Sequence, residues 1–182
     1  MLKWLIRRQL AAFERKFDFN ADYLRDILDA DLGALRAINK TAAIAQYQRD
    51  IPVVAWAAAG ITATMHEDCG PCTQLGVTLA KERGVDPTVL RAIVSGDEKA
   101  MSDDARLAYR FAKATLAHDA VADDFRAMVE SRWGKRAVVA LAFAVAAGRI
   151  YPTVKYALGH GKACSRITVD GTVLSPVGSL VA

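Results

Sequence analysis

Two segments of this chain are apolar on every side of a helix, and they restrict the fold more than any other feature. Val53 to Thr64 and Arg136 to Arg149 run through Ala, Val, Ile, Leu and Phe with few polar interruptions. A helix that is apolar all round has to be buried, in a protein core or in a membrane. Alanine recurs through both segments, and the chain holds 34 alanines in 182 residues. Alanine has the highest helix propensity and a poor fit to a pleated sheet. The pattern therefore predicts an all-α fold of closely packed helices.

A membrane-spanning helix needs about 20 predominantly apolar residues. The best stretches, Ile51 to Met65 and Ala137 to Ala147, are shorter than that. With 53% hydrophobic residues and a mean hydropathy of +0.14, the chain is expected to hide apolar helix faces between subunits, as a homo-oligomer away from the membrane. At the start, Lys3, Arg7 and Arg8 sit among Leu2, Trp4, Leu5, Ile6 and Leu10. No apolar core of signal-peptide length follows, so a cytoplasmic location is expected, with residues 1–20 forming an amphipathic helix. That helix docks on the domain or on a partner subunit; lying on a membrane surface is the alternative. The net charge of +4 comes with acids interleaved from Asp18 to Asp31 and from Asp97 to Asp124. No basic stripe with stacking aromatics emerges, so nucleic acid is not an expected partner.

Helical periodicity runs almost throughout. Leu2 to Phe17 is the first expected helix, and Asn20 caps a second through Leu24, Ile27 and Leu28. Leu32 to Gln48 is the third, and Pro52 opens the fourth, Val53 to Thr64. Asp68 is expected to cap Cys69 to Arg83, which Gly84 closes. Asp86-Pro87 opens a helix to Val94, stopped near Gly96, and Ser102 starts another with the stripe Ala105, Ala108, Phe111, Ala112 and Thr115. His118 then satisfies that helix's C-terminus. Val121 to Trp133 ends at Gly134, and Arg136 to Arg149 follows, with Pro152 kinking or restarting the chain before Tyr156 to Gly159. In the tail, Arg166 to Val169 and Thr172 to Leu174 flank Asp170-Gly171, the signature of a β-hairpin. One domain is expected, with a helical core over 40–160 and a hairpin tail over 165–182.

The stretch that carries chemistry is Met65-His66-Glu67-Asp68-Cys69-Gly70-Pro71-Cys72. Cysteines three apart at a helix start share one face and can close and reopen a small disulfide. The unpaired N–H groups and positive partial charge of the helix end favour a thiolate, which is the nucleophile. A redox dithiol of Cys69 and Cys72 is the leading reading. Two buried structural cysteines, a permanent disulfide, and a metal site of His66, Cys69 and Cys72 joined by His160 or Cys164 are the others. His66 is a candidate base or charge partner for a thiolate, and Glu67 adjoins it; a plain loop role is the alternative for His66. Thr73 and Gln74 are polar groups near a substrate or simply surface residues. Trp56 and Tyr47 line a pocket or pack in the core. The helix dipole favours Cys69 as the attacking thiol.

The order of motifs resembles the alkyl hydroperoxidase D-like branch of the carboxymuconolactone decarboxylase superfamily. The resemblance rests on Cys69-Gly-Pro-Cys72 after an Ala-rich helix, on Gly84-Val-Asp-Pro-Thr-Val-Leu90, on Tyr109-Arg110-Phe111-Ala112 and on the hydrophobic helix after Gly134. It implies an all-α homo-oligomer that reduces peroxides or exchanges disulfides, with an external dithiol as reductant and no dissociable cofactor. It also implies Cys72 as the peroxide-attacking thiol and Cys69 as its resolving partner. The family's relay His and Glu fall at Gly76 and Ala57 here, and the His often found between the cysteines falls at Pro71. A non-enzymatic ligand-binding or redox-sensing oligomer is the alternative that those departures raise.

Overall fold

The computed structural model describes residues 2–161 and 166–175. The described residues form nine α-helices and a two-stranded antiparallel hairpin, as expected of an all-α chain with a β tail. The helices are α1 (Leu2–Phe17), α2 (Asp22–Ala30), α3 (Leu32–Ala45), α4 (Val53–His66), α5 (Gly70–Glu82), α6 (Pro87–Ser95), α7 (Asp103–Leu116), α8 (Ala122–Trp133) and α9 (Lys135–Ala157). The strands are β1 (Ile167–Val169) and β2 (Thr172–Leu174). Residue 165 and residues 176–182 of the expected tail, and Cys164, lie outside the described residues.

α4 is the axis of the fold. It packs against α5, α6, α7 and α9, with Ala55, Ala57 to Ala59 and Ile61 to Met65 buried, and an apolar sequence suits that position. Its two buried threonines bond inside the helix, Thr62 Oγ1 donating to the Ala58 carbonyl at 2.7 Å and Thr64 Oγ1 to that of Ile61 at 2.8 Å. Small residues let α9 approach closely. A Cβ built on Gly148 would lie 2.6 Å from Ala63 Cβ and 2.9 Å from the Gly60 carbonyl oxygen. The alanine load of the sequence is the composition of this seam.

α9 differs from expectation. It runs 23 residues without a break, and Pro152 lies inside it with its ring fully buried. By length and composition α9 is long and apolar enough to cross a membrane, which the shorter expected segment was not. It is packed on α3, α4, α7 and α8, with Ala137, Ala140, Leu141, Ala144 and Val145 buried. Val139 and Phe143 remain exposed on its outer side, and Tyr47 meets the Phe143 ring edge-on at 5.5 Å between centroids.

Most helix ends follow their local chemistry. Ser102 Oγ accepts from the Ala105 amide, the Asp86 carboxylate from that of Thr88, and the Asp31 carboxylate from those of Gly33 and Ala34. Gly96 and Gly134 take positive φ where α6 and α8 stop. Three expectations change. α2 starts at Asp22 with Ala21 at the cap position, and Asn20 Oδ1 accepts from the Asp22 amide one place later than expected. α3 stops at Ala45, short of Gln48. His118 ends α7 through its backbone: it sits at φ 53, its amide bonds to Thr115 and the Asp119 amide to Ala114, while its side chain is exposed.

The N-terminal helix docks through its second half. Leu10, Phe13 and Phe17 pack around the buried trio Phe19, Ala21 and Tyr23, together with Leu75 of α5 and Tyr151 and Val154 of α9. The Glu14 carboxylate accepts from Arg25 and from the Ala21 amide, which holds its pKa below the ordinary value. The first turns keep Leu2, Trp4 and Leu5 exposed.

The hairpin packs Ile167 and Val169 against α5 and α6, both strand residues fully buried. Asp170 and Gly171 take the positive φ values that a tight two-residue turn requires. Gln74 behaves as a backbone partner for the edge strand: its Oε1 accepts from the Thr168 amide at 2.7 Å, and its Nε2 donates to the Thr168 carbonyl at 3.1 Å. Lys81 pairs with Asp170 at the turn. Replacing Gln74 with Ala is expected to cost about 1–2 kcal/mol, the worth of two such bonds. The loss should fall on the hairpin, read as faster hydrogen exchange at Thr168 with the α4 amides unchanged. Equal exchange at Thr168 in the variant and the parent would refute it.

Candidate functional site: a dithiol at the start of helix α5

The turn that carries the cysteines is built by the end of α4. The Asp68 amide bonds to the Met65 carbonyl at 3.0 Å, and the Cys69 amide to that of Thr64 at 3.3 Å. These two bonds reverse the chain in a Schellman turn, with Asp68 in the left-handed region at φ 49. Asp68 therefore terminates α4; the expectation that it caps α5 is corrected, because Cys69 holds that position. Cys69 takes the cap position of α5, and Pro71 occupies its first turn, where the missing N–H costs nothing.

Cys69 and Cys72 are paired at disulfide-bonding distance, with Cα atoms 5.3 Å apart. Both are buried, Cys69 at 6% exposure and Cys72 at 8%. The Thr73 hydroxyl lies 3.0 Å from the Cys69 carbonyl oxygen and 3.1 Å from Thr64 Oγ1, which ties the first turn of α5 to α4. Thr73 is fully buried and serves the turn; it is not an exposed polar group.

The flanking candidates are placed as follows. Glu67 bridges to α9, accepting from Arg149 Nε at 2.6 Å and from the Thr153 hydroxyl at 3.3 Å. Its charge is spent on a strut between the α4–α5 turn and α9. His66 is the last residue of α4, half-buried, with its Nδ1 buried and without a hydrogen-bond partner among the described residues. Trp56 and Tyr47 pack against the core, and Arg83 lies over the Trp56 ring at 4.7 Å.

Beside the cysteines a narrow crevice opens between the start of α5 and the end of α9. It is lined by Cys69, Pro71, Pro152, Lys155, Tyr156, His160 and Gly161. Cys69 lines it and Cys72 does not. His160 Nε2 is engaged with Asp26 Oδ2 at 2.6 Å, so a residue weighed as a metal ligand is held instead by α2. Among the described residues no group of three or more His, Cys, Asp or Glu side chains is placed to hold a metal ion.

Lys155 is the residue that sequence reasoning missed. It is 6% exposed, and burial pushes its pKa down. Its Nζ sits over the Phe19 ring at 5.2 Å and makes no ion pair among the described residues. The signal was spacing: Ala144, Gly148, Pro152 and Lys155 fall on one helical stripe if α9 passes through Pro152. Expecting the proline to break the helix removed Lys155 from the buried side.

Comparison with family models, with curated proteins and with solved structures gives no match to this chain. The chemistry of the site has to be read from its own residues.

Proposed function

We propose that this protein is a thiol–disulfide oxidoreductase that works through Cys69 and Cys72. The observation that carries the reading is a cysteine pair at disulfide distance on the first turn of a 13-residue helix, with one of its two sulfur-bearing residues lining a crevice. In the reduced form, a thiolate of the pair attacks one sulfur of a substrate disulfide, forming a mixed disulfide and expelling one substrate thiolate. The second cysteine attacks the mixed disulfide, expels the other thiolate and closes the Cys69–Cys72 bond. An external dithiol returns two electrons and two protons to reset the pair. No dissociable cofactor enters this sequence.

Disulfide exchange is favoured over peroxide reduction. Peroxide cleavage needs a group that protonates the departing oxygen. In the family that the motif order resembles, the relay positions correspond to Gly76 and Ala57. A Cβ on Gly76 would lie 3.4 Å from Ile61 Cγ1, and Ala57 is buried at 3% exposure, so both positions serve packing. The exposed Val139 and Phe143 on α9 support a homo-oligomer, and a dithiol that cycles fits a reducing, cytoplasmic setting.

The test is direct. Reduced protein mixed with a small aromatic disulfide should lose two thiols per chain from the Cys69–Cys72 peptide and release two aromatic thiolates. Excess dithiothreitol should restore the pair. Hydrogen peroxide should be consumed no faster than by free dithiol. A pair that stays reduced in the presence of the disulfide would remove the oxidoreductase reading.

A further inference from the structure

We infer that the Lys155 ammonium is the charge partner of the Cys69 thiolate in the reduced dithiol, which makes Cys69 the attacking sulfur. The inference deepens the oxidoreductase reading and rests on it for its role in turnover. Three independent features meet at this place. The first is the start of α5, whose free N–H groups and partial positive charge favour an anion at the cap residue, Cys69. The second is Lys155, nine-tenths buried and lining the same crevice as Cys69. The third is the asymmetry of the crevice, which reaches Cys69 and leaves Cys72 behind it.

Burial of the Lys155 side chain disfavours its charged form, and its pKa falls. Its Nζ lies 5.2 Å from the Phe19 ring centroid and makes no ion pair among the described residues. Reduction creates a titratable sulfur on Cys69, which lines the same crevice as Lys155. An ammonium beside a thiol favours the thiolate, and the thiolate in turn favours the ammonium. The other titratable groups around the crevice are accounted for. His160 is held by Asp26. Tyr156 is exposed, and Tyr23, across Phe19, is buried and has its hydroxyl pKa raised. Glu67 is paired with Arg149, Asp68 is exposed on the turn, and His66 ends α4. Lys155 is the nine-tenths-buried cation among them.

Each sulfur has its own role in the cycle. On reduction, the thiolate of an external dithiol attacks Cys69 Sγ, the S–S bond to Cys72 breaks, and Cys72 leaves as a thiolate that takes a proton from water. The second thiolate of the dithiol closes on its own mixed-disulfide sulfur and expels Cys69 as a thiolate, which Lys155 stabilises. In the forward direction the same Cys69 thiolate attacks the substrate disulfide. Lys155 acts through Cys69 and is a positioning residue, not a nucleophile.

The test uses the full chain carrying Cys72→Ser, reduced, with iodoacetamide as the probe. Alkylation of the Cys69 peptide is followed by mass spectrometry across pH. Cys69 should titrate below the ordinary thiol value of about 8.5. Adding Lys155→Met or Lys155→Gln should raise that midpoint by about one pH unit and slow alkylation at pH 7 about fivefold. Lys155→Arg should restore most of the reactivity. Two substitutions of different polarity are read together, so that a failure of one to fold leaves the other, and helical circular dichroism confirms the fold of each. An unchanged midpoint in a folded Lys155 variant overturns the inference, as does a Cys69 midpoint at or above 8.5 in the parent. A parent with a lowered midpoint that Lys155→Met raises, but with no disulfide exchange, would refute the oxidoreductase reading and leave the Lys155–Cys69 pairing standing.

Discussion

Cys72→Ser protein is expected to trap its substrate. Incubated with the small aromatic disulfide, the reduced variant should gain one aromatic thiol on the Cys69 peptide and release the other. Nothing then completes the reaction, because the resolving sulfur is gone. Cys69→Ser should lose exchange at the pair by a factor on the order of 10³, since Cys72 does not line the crevice. Peptide mass mapping, which reads Cys164 separately, tells the two variants apart in one experiment. An adduct on Cys72 in the Cys69→Ser protein, with none on Cys69 in the Cys72→Ser protein, would reverse the assignment and match the order that the family resemblance implies. Neither substitution should threaten the fold. A loop this short contributes about 2 kcal/mol or less as a disulfide, and the turn is held by the Thr64–Cys69 and Met65–Asp68 backbone bonds whatever the sulfurs do.

The second large effect lies in the α4–α9 seam. Gly148→Ala should destabilise the protein by about 2–3 kcal/mol and lower its Tm by about 4–12 °C. The added methyl would sit 2.6 Å from Ala63 Cβ and 2.9 Å from the Gly60 carbonyl oxygen, and neither neighbour is the free end of a flexible chain. The helix axes have to separate, and the separation carries the first turn of α5 with it, because α4 supplies the turn before Cys69. The gain in helix propensity from Gly to Ala, about 1 kcal/mol, works against this loss and is already included. Gly60→Ala is the matched comparison. Its new Cβ meets only the Ala144 carbonyl oxygen at 3.9 Å, an ordinary contact, so propensity dominates and the Tm should hold or rise by a few degrees. Thermal melts of the two variants with the parent check both signs. Equal losses at the two glycines would show that the seam is not closely packed at Gly148.

The local features of the fold were legible because they depend on a few neighbouring residues. Ser102 and Asp86 cap helices through side chains two or three positions from the amides that donate to them. Asp170-Gly171 makes its turn because both residues tolerate positive φ. The all-round apolar character of Val53 to Thr64 announces burial without saying against what. The errors share a cause as well. Asp68 has the chemistry of a helix cap and also that of a left-handed residue, and only the path of the chain after α4 selects the second. Pro152 breaks an isolated helix, yet here its ring is buried in the packing around the crevice and α9 continues through it.

What the amino-acid order determined by itself is the helical class, the buried axis at α4, the hairpin and the pairing geometry of Cys69 with Cys72. All of these follow from periodicity, capping and spacing within about one helical turn or one hairpin. What only the tertiary structure decided is which charges surround the dithiol. Glu67 meets Arg149 across 82 positions, Gln74 meets Thr168 across 94, and Asp26 holds His160 across 134. Lys155 reaches the crevice because α9 stays helical past Pro152 and lies beside the start of α5. Such pairings depend on how helices cross, and the close approach at Gly148 sets that crossing.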